Sequence, residues 1–236
     1  MGKLSIAAGL VPHEDPEALV PQLDRRWYDF LWEAMVEGAY KPAEILSNKL
    51  SIVTFNYDRS LEHFLLTSIE HSFGIETEAA AEIVSALPIT HVYGTLGGLP
   101  YGQAGRKYSN AFFDRVTIKK AAEQIKLVGD RQDRNREIAV AMSSCDILAF
   151  VGFGYLAENI EQLSLDRLSP LVPIFGTAYG MGRGEQDAAQ KLLRSATLRP
   201  DNPNALVRHQ GVKVVPAAIE LRDRKCLSFL QECPIL

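Results

Sequence analysis

Three short stretches of the chain combine residue types that can do chemistry: "NYD" at 56–58, "HVYGTLG" at 91–97 and "VGFGYLAEN" at 151–159. Each follows an apolar, β-branched run and opens into a polar or helical stretch, the junction at which α/β proteins bind ligands. Asn56 offers a carboxamide, which can hold a ribose hydroxyl or a water. Asp58 stands where a helix cap belongs, accepting backbone N–H bonds, or else supplies a carboxylate to a site. His91 and Tyr93 are two apart and share one face of a strand. His91 reads equally as a satisfied core residue and as a proton-exchanging group. Imidazole titrates near neutrality, whereas a phenol near pH ~10 acts mainly as a hydrogen-bond partner. Gly94 ends that strand. Gly152 and Gly154 either let a backbone approach a phosphate or ribose or simply make a tight strand-to-helix turn, with Asn159 on the helix beyond.

Elements able to carry these stretches follow from periodicity. Apolar runs predict strands at 50–55, 88–93, 146–154, 170–176 and 211–219. Helical spacing runs from 59 to 73 through Leu61, Phe64, Leu65, Ile69 and Phe73. Further helical patterns cover "ETEAAAEIVSAL", 109–126, 132–144, "ENIEQLSLDRL", the stretch after "GTAYGMGRGE" to about 195, and "RDRKCLSFLQ". Residues 14–47 read as short helical pieces punctuated by Pro16, Pro21 and Pro42. Strands alternating with helices predict one α/β domain over 1–236, a Rossmann-like, mostly parallel sheet with helices on both faces. The aperiodic, glycine-rich loop 94–108 is the candidate lid.

Composition narrows the function classes. The formal net charge is −4, and the densest charge run, "DRQDRNRE" (130–137), alternates in sign as a solvated helix start does, which speaks against nucleic acid. No apolar run approaches the roughly 18 residues of a membrane span. The opening "MGKLSIAAGLVPHED" makes a poor signal peptide and, with Ile6 where Ser or Thr is needed, fails the myristoylation pattern. Cys145, Cys226 and Cys233 form no CxxC pair, so neither a zinc site nor a disulfide framework is indicated. They read as free thiols in a reducing cytoplasm.

Together, an NYD after a strand, a strand ending in a His- and Tyr-containing turn with glycine, and a strand ending in "GFG" resemble the sirtuin-like domain, particularly its bacterial branch found in antiphage defence proteins. The resemblance covers roughly residues 3–230, and "VTFNYDRSLE" is its most specific part. It implies an NAD-cleaving enzyme of the cytoplasm that needs no metal and ruptures the nicotinamide–ribose bond through an oxocarbenium-like transition state. It implies that Asn56 is the catalytic asparagine, positioning the nicotinamide ribose or a water, with Asp58 as supporting carboxylate. His91 or Tyr93 would take up or share the ribose hydroxyl proton, and Gly94, Gly152, Gly154 and Asn159 would contact the nucleotide. The expected partners are an NAD-type nucleotide and either further copies of the chain or a defence protein. The alternative is a catalytically silent module that binds NAD or an ADP-ribose-like signal. The lack of a CxxC pair fits the branch without a zinc ribbon and weighs against deacetylation. Three departures stand out. Tyr93 occupies the place of the family's histidine, with His91 two residues upstream. Gly154 and Ala157 replace a Ser and an Asp. The family's opening strand and GAGxS turn have no counterpart, since "IAAGL" (6–10) lacks the serine and runs into Pro12. The expectation is that Met1 lies inside a longer reading frame whose upstream codons encode that first strand.

Overall fold

A computed structural model describes residues 2–19, 27–99, 105–110, 114–126, 134–198 and 217–233. The chain divides into two compact units, Met1–Arg131 and Gln132–Leu236. Both are α/β with parallel strands, in line with the predicted fold class, but among the described residues the strands form two small sheets rather than one.

The first unit contains α1 (Gly2–Leu10), α2 (Trp27–Val36), β1 (Ile52–Thr54), α3 (Ser60–Phe73), α4 (Thr77–Ala86), β2 (Ile89–His91) and α5 (Arg115–Gln124). In α3, Leu61, Leu65, Leu66 and Ile69 recur at helical spacing and are buried, and the helix stops at Gly74, whose left-handed φ of 59° a side chain would resist. That face packs with Ala80, Ala81 and Val84 of α4 and with Leu31 and Met35 of α2. Burying each large aliphatic side chain contributes roughly 1.5–3 kcal/mol, so this stripe fixes where α3 begins. A second cluster joins Ala7 and Val11 to Leu96, Ala121, Ala122 and Ile125. The strands β1 and β2 pair parallel, Ile52 with Ile89 and Thr54 with His91. Their carboxyl ends are therefore level. This register brings "NYD" beside "HVYG".

The second unit contains α6 (Arg134–Ser143), β3 (Leu148–Phe150), α7 (Ala157–Glu161), β4 (Ile174–Thr177), α8 (Arg183–Thr197), β5 (Ile219–Arg222) and α9 (Cys226–Glu232). Its three described strands run parallel in the order β3-β4-β5. Gly176 lies mid-sheet, where a Cβ would come within 2.1 Å of the Tyr155 hydroxyl and 2.8 Å of Leu221.

Several boundaries differ from the sequence-based expectation. The described strands are three or four residues long, shorter than the apolar runs that predict them. The "ENIEQLSLDRL" helix breaks at Ser164, which takes a left-handed φ of 51°, leaving a five-residue α7 and a 3-10 turn at Leu165–Arg167. The predicted strand 211–219 falls largely outside the described residues. Beyond it, "IELR" forms β5 with Leu221 buried, and α9 starts only at Cys226. Part of the predicted lid, 100–104, and the start of "DRQDRNRE" also lie outside the described residues. Among the described residues, no helix is long and apolar enough to cross a membrane.

Candidate functional site

The two level strand ends of the first unit are tied together by side chains. His91 is 7 % exposed and uses both ring nitrogens. Nδ1 donates to the Asn56 carbonyl at 2.7 Å, and Nε2 lies 2.5 Å from Glu62 Oε1 on the first turn of α3. The Asn56 amide N–H donates to Thr54 Oγ1 at 3.1 Å, so the peptides on both sides of Asn56 are engaged while the residue itself is exposed. One residue on, the Tyr57 carbonyl accepts from Leu96 N at 2.8 Å, and the Tyr57 ring stacks on Tyr93 with centroids 6.3 Å apart. Tyr93 also meets the Phe55 edge at 5.7 Å. Burial pushes the Tyr57 phenol up, so it stays protonated across the physiological range.

Asp58 does not hold the helix-cap position itself, which falls to Arg59, whose side chain makes no cap bond. Its Oδ1 accepts instead from Ser60 N at 3.0 Å and from the Ser60 hydroxyl. The Ser60 hydroxyl in turn lies 2.9 Å from the Tyr28 hydroxyl. This Asp58–Ser60–Tyr28 chain lines a cavity of about 390 Å³. Trp27, Tyr28, Phe64 and Tyr108 supply its aromatic walls. Asp15 and Asp29 join Asp58 as acidic lining, with His13 nearby. Burial raises the Tyr108 phenol, reinforced by the Asp58 and Glu14 carboxylates, so Tyr108 is a hydrogen-bond donor rather than an anion. His63 stacks on Tyr108 at 4.4 Å, and burial together with the Arg59 charge pushes its imidazole down toward the neutral form.

Behind this wall lies a buried ionic hub. Arg59 and Glu14 are each 1 % exposed and form a two-point ion pair at 2.9 and 2.7 Å. Arg59 also donates to the carbonyls of Gly98, Arg106 and Lys107, at 2.7, 2.6 and 3.3 Å. Arg106 pairs with the same Glu14 oxygen. All five guanidinium donors of Arg59 thus have acceptors, which makes full burial tolerable. The hub pins both described flanks of the loop 94–108. Gly94, buried at φ 81°, is required there for a structural reason: a Cβ would lie 2.4 Å from the Gln124 carbonyl, because the loop bridges to Ile125.

In the second unit, Gly152 (φ 65°) donates to Thr177 Oγ1 at 2.8 Å, forming a strand-to-helix turn. Tyr155, also at positive φ, donates its hydroxyl to the Thr177 carbonyl at 2.9 Å. Gly154 is exposed with open space where a Cβ would stand. Asn159 lies in the five-residue α7, where its backbone bonds to Leu156 and Gln162. Five of the eight sequence-predicted site residues thus belong to the first unit and three to the second.

Sequence reasoning missed Glu62, Arg59, Glu14 and the cavity aromatics. Arg59 and Glu62 sit inside "VTFNYDRSLE", and two charges at a strand-to-helix junction were the available signal. Glu14, 45 residues from Arg59, offered none. No family model, no characterised protein and no solved structure matches the chain at a significant level.

Proposed function

We propose that the chain binds NAD and cleaves its nicotinamide–ribose bond, with the nicotinamide riboside end held in the cavity of the first unit. The observation that carries this reading is the position of Asp58. The carboxylate of the NYD motif lines an aromatic-walled cavity whose other described acids are Asp15 and Asp29. The pyridinium ring of NAD is cationic, and cleavage spreads positive charge over the ribose, so aromatic faces and carboxylates favour both substrate and transition state. At about 390 Å³ the cavity lies at the small end of the ~300–1,000 Å³ range of ligand pockets, a size suited to one riboside rather than a whole dinucleotide. Asn56 does not itself line the cavity; exposed on the loop that leads into Asp58, it is assigned by the resemblance to orient the ribose or the attacking water. The resemblance to the sirtuin-like domain of bacterial defence proteins gives the same substrate and supports a cytoplasmic setting, with a defence protein or further copies of the chain as partner.

A second reading, a silent module that binds NAD or an ADP-ribose-like signal, is favoured by one observation. His91 has both ring nitrogens occupied and so offers no free base. The deciding experiment measures nicotinamide release and NAD binding on the same protein. Cleavage predicts release by the wild type and a fall of about 10²-fold in Asp58→Asn, the scale of one electrostatic group at a site. Binding by calorimetry with no release selects the silent module, and no binding of NAD at all overturns both.

A further inference from the structure

The contacts of His91 set a proton count. A carbonyl oxygen only accepts, so the 2.7 Å contact to the Asn56 carbonyl puts a proton on Nδ1. A neutral ring in that tautomer would turn the Nε2 lone pair toward a carboxylate oxygen 2.5 Å away, acceptor against acceptor. A second proton in that contact turns repulsion into a short, charge-assisted hydrogen bond. Burial sharpens the requirement. The Glu62 side chain is 17 % exposed, and its other oxygen, Oε2, is buried with no hydrogen-bond partner, so His91 is the partner that meets its charge. We infer that Glu62 is a positioning residue that keeps the second proton on His91, and that the resulting clamp fixes the Asn56 peptide.

The clamp joins three elements around one loop. His91 ends β2 level with Thr54 at the end of β1, and Glu62 belongs to the first turn of α3. Asn56 lies between them, its N–H on Thr54 and its carbonyl on His91. An imidazolium with both protons engaged has no lone pair with which to take a ribose hydroxyl proton. It does hold a neighbouring backbone to within the fraction of an ångström that a reacting geometry needs. The inference deepens the reading of Asn56 as the group that meets the substrate, and in its catalytic consequence it rests on that reading.

The test uses Glu62→Gln in the full chain. A glutamine N–H donates to a bare Nε2, which preserves the shape of the clamp while removing the need for the second proton. Nitrogen NMR of His91 near pH 7 should show both ring nitrogens protonated in the wild type, and an Nδ1–H ring with bare Nε2 in Glu62→Gln. Nicotinamide release should stay within about threefold in Glu62→Gln. In His91→Ala and Glu62→Ala it should fall at least about tenfold in kcat with little change in KM, as loss of positioning does. The double Ala variant should be no worse than either single one. A bare Nε2 in the wild type overturns the inference. So does a Glu62→Gln variant as slow as His91→Ala, because the proton itself would then be doing chemistry. A wild type that shows the doubly protonated ring but releases no nicotinamide confirms the clamp and overturns the cleavage reading instead.

Discussion

The two units solve the same local problem, ending a parallel strand beside the start of the next element, with different chemistry. In the first, charged side chains hold the strand ends: His91 against Glu62, and Glu14 against both Arg59 and Arg106. In the second, neutral groups join the ends of β3 and β4: Gly152 and Tyr155 both bond to Thr177, and Gly176 makes room for the Tyr155 hydroxyl, while the charged pairs of Arg222 with Glu220 and Glu232 lie at the β5 end. The difference teaches that a buried charge network and a glycine–hydroxyl turn can each order a strand end, but they fail differently. Removing one member of a buried ion pair leaves its partner uncompensated, whereas removing a neutral hydroxyl forfeits a hydrogen bond.

That contrast can be broken most forcefully at Arg59. Arg59→Ala should destabilise the first unit by about 3–5 kcal/mol, because Glu14 and three backbone carbonyls lose their partner together. Denaturant unfolding followed by hydrogen exchange in each unit would check it, and an unchanged first unit would refute the hub. Gly94→Ala should cost about 3 kcal/mol, since the added carbon meets the Gln124 carbonyl and the Lys126 amide, which are backbone atoms, at a positive φ. Gly176→Ala meets mainly side-chain atoms and should cost less, a ranking that thermal melts of the two variants would decide. Tyr155→Phe should cost only about 1 kcal/mol by the same melts, the scale of one hydrogen bond. The smallest effect separates the units by pH. The folded state holds His63 below its ordinary value near pH ~6.5, so its contribution is fully present above that value. It is lost as pH falls from there through the lower folded value, because the unfolded chain takes up the proton first. His63→Phe should flatten this acid-side slope in the first unit and leave the second unchanged, as exchange rates measured between about pH 7 and 5 would reveal.

Much of the architecture was legible in the chain because it is written in local periodicity. The Leu61–Phe73 stripe, the "SIVTF" run and the glycines after β2 and β3 place α3, β1 and those turns within a few residues. Asn56, His91 and Tyr93 were singled out from strand-end position, and the register of β1 on β2 accounts for the contact of His91 with Asn56. What stayed hidden is non-local. Nothing near Glu14 announces that it will be buried against Arg59, and a cavity formed by Trp27, Phe64 and Tyr108 depends on tertiary packing that no window of sequence contains. The division of strands into two sheets was hidden for the same reason: pairing partners are chosen by the whole fold. Likewise "IELR" has only Ile219 and Leu221 on its alternating face, too weak a pattern to mark the residues of β5 beyond 219.

The Arg59 hub also bears on how the first unit acquires its structure. Its acceptors lie 39 to 48 residues from Arg59 along the chain, on both sides. Until those segments have converged, a guanidinium stripped of water would have nothing to replace it, so the arginine must remain hydrated while α3 and its apolar stripe form. Contacts of such sequence separation bear a loop-closure cost before they give any return. The expected order is therefore that the hub closes late, after the transition state. Substitutions there should leave the folding rate of the first unit almost untouched and accelerate its unfolding, which makes Arg59 the residue that sets how long the unit, once folded, stays folded.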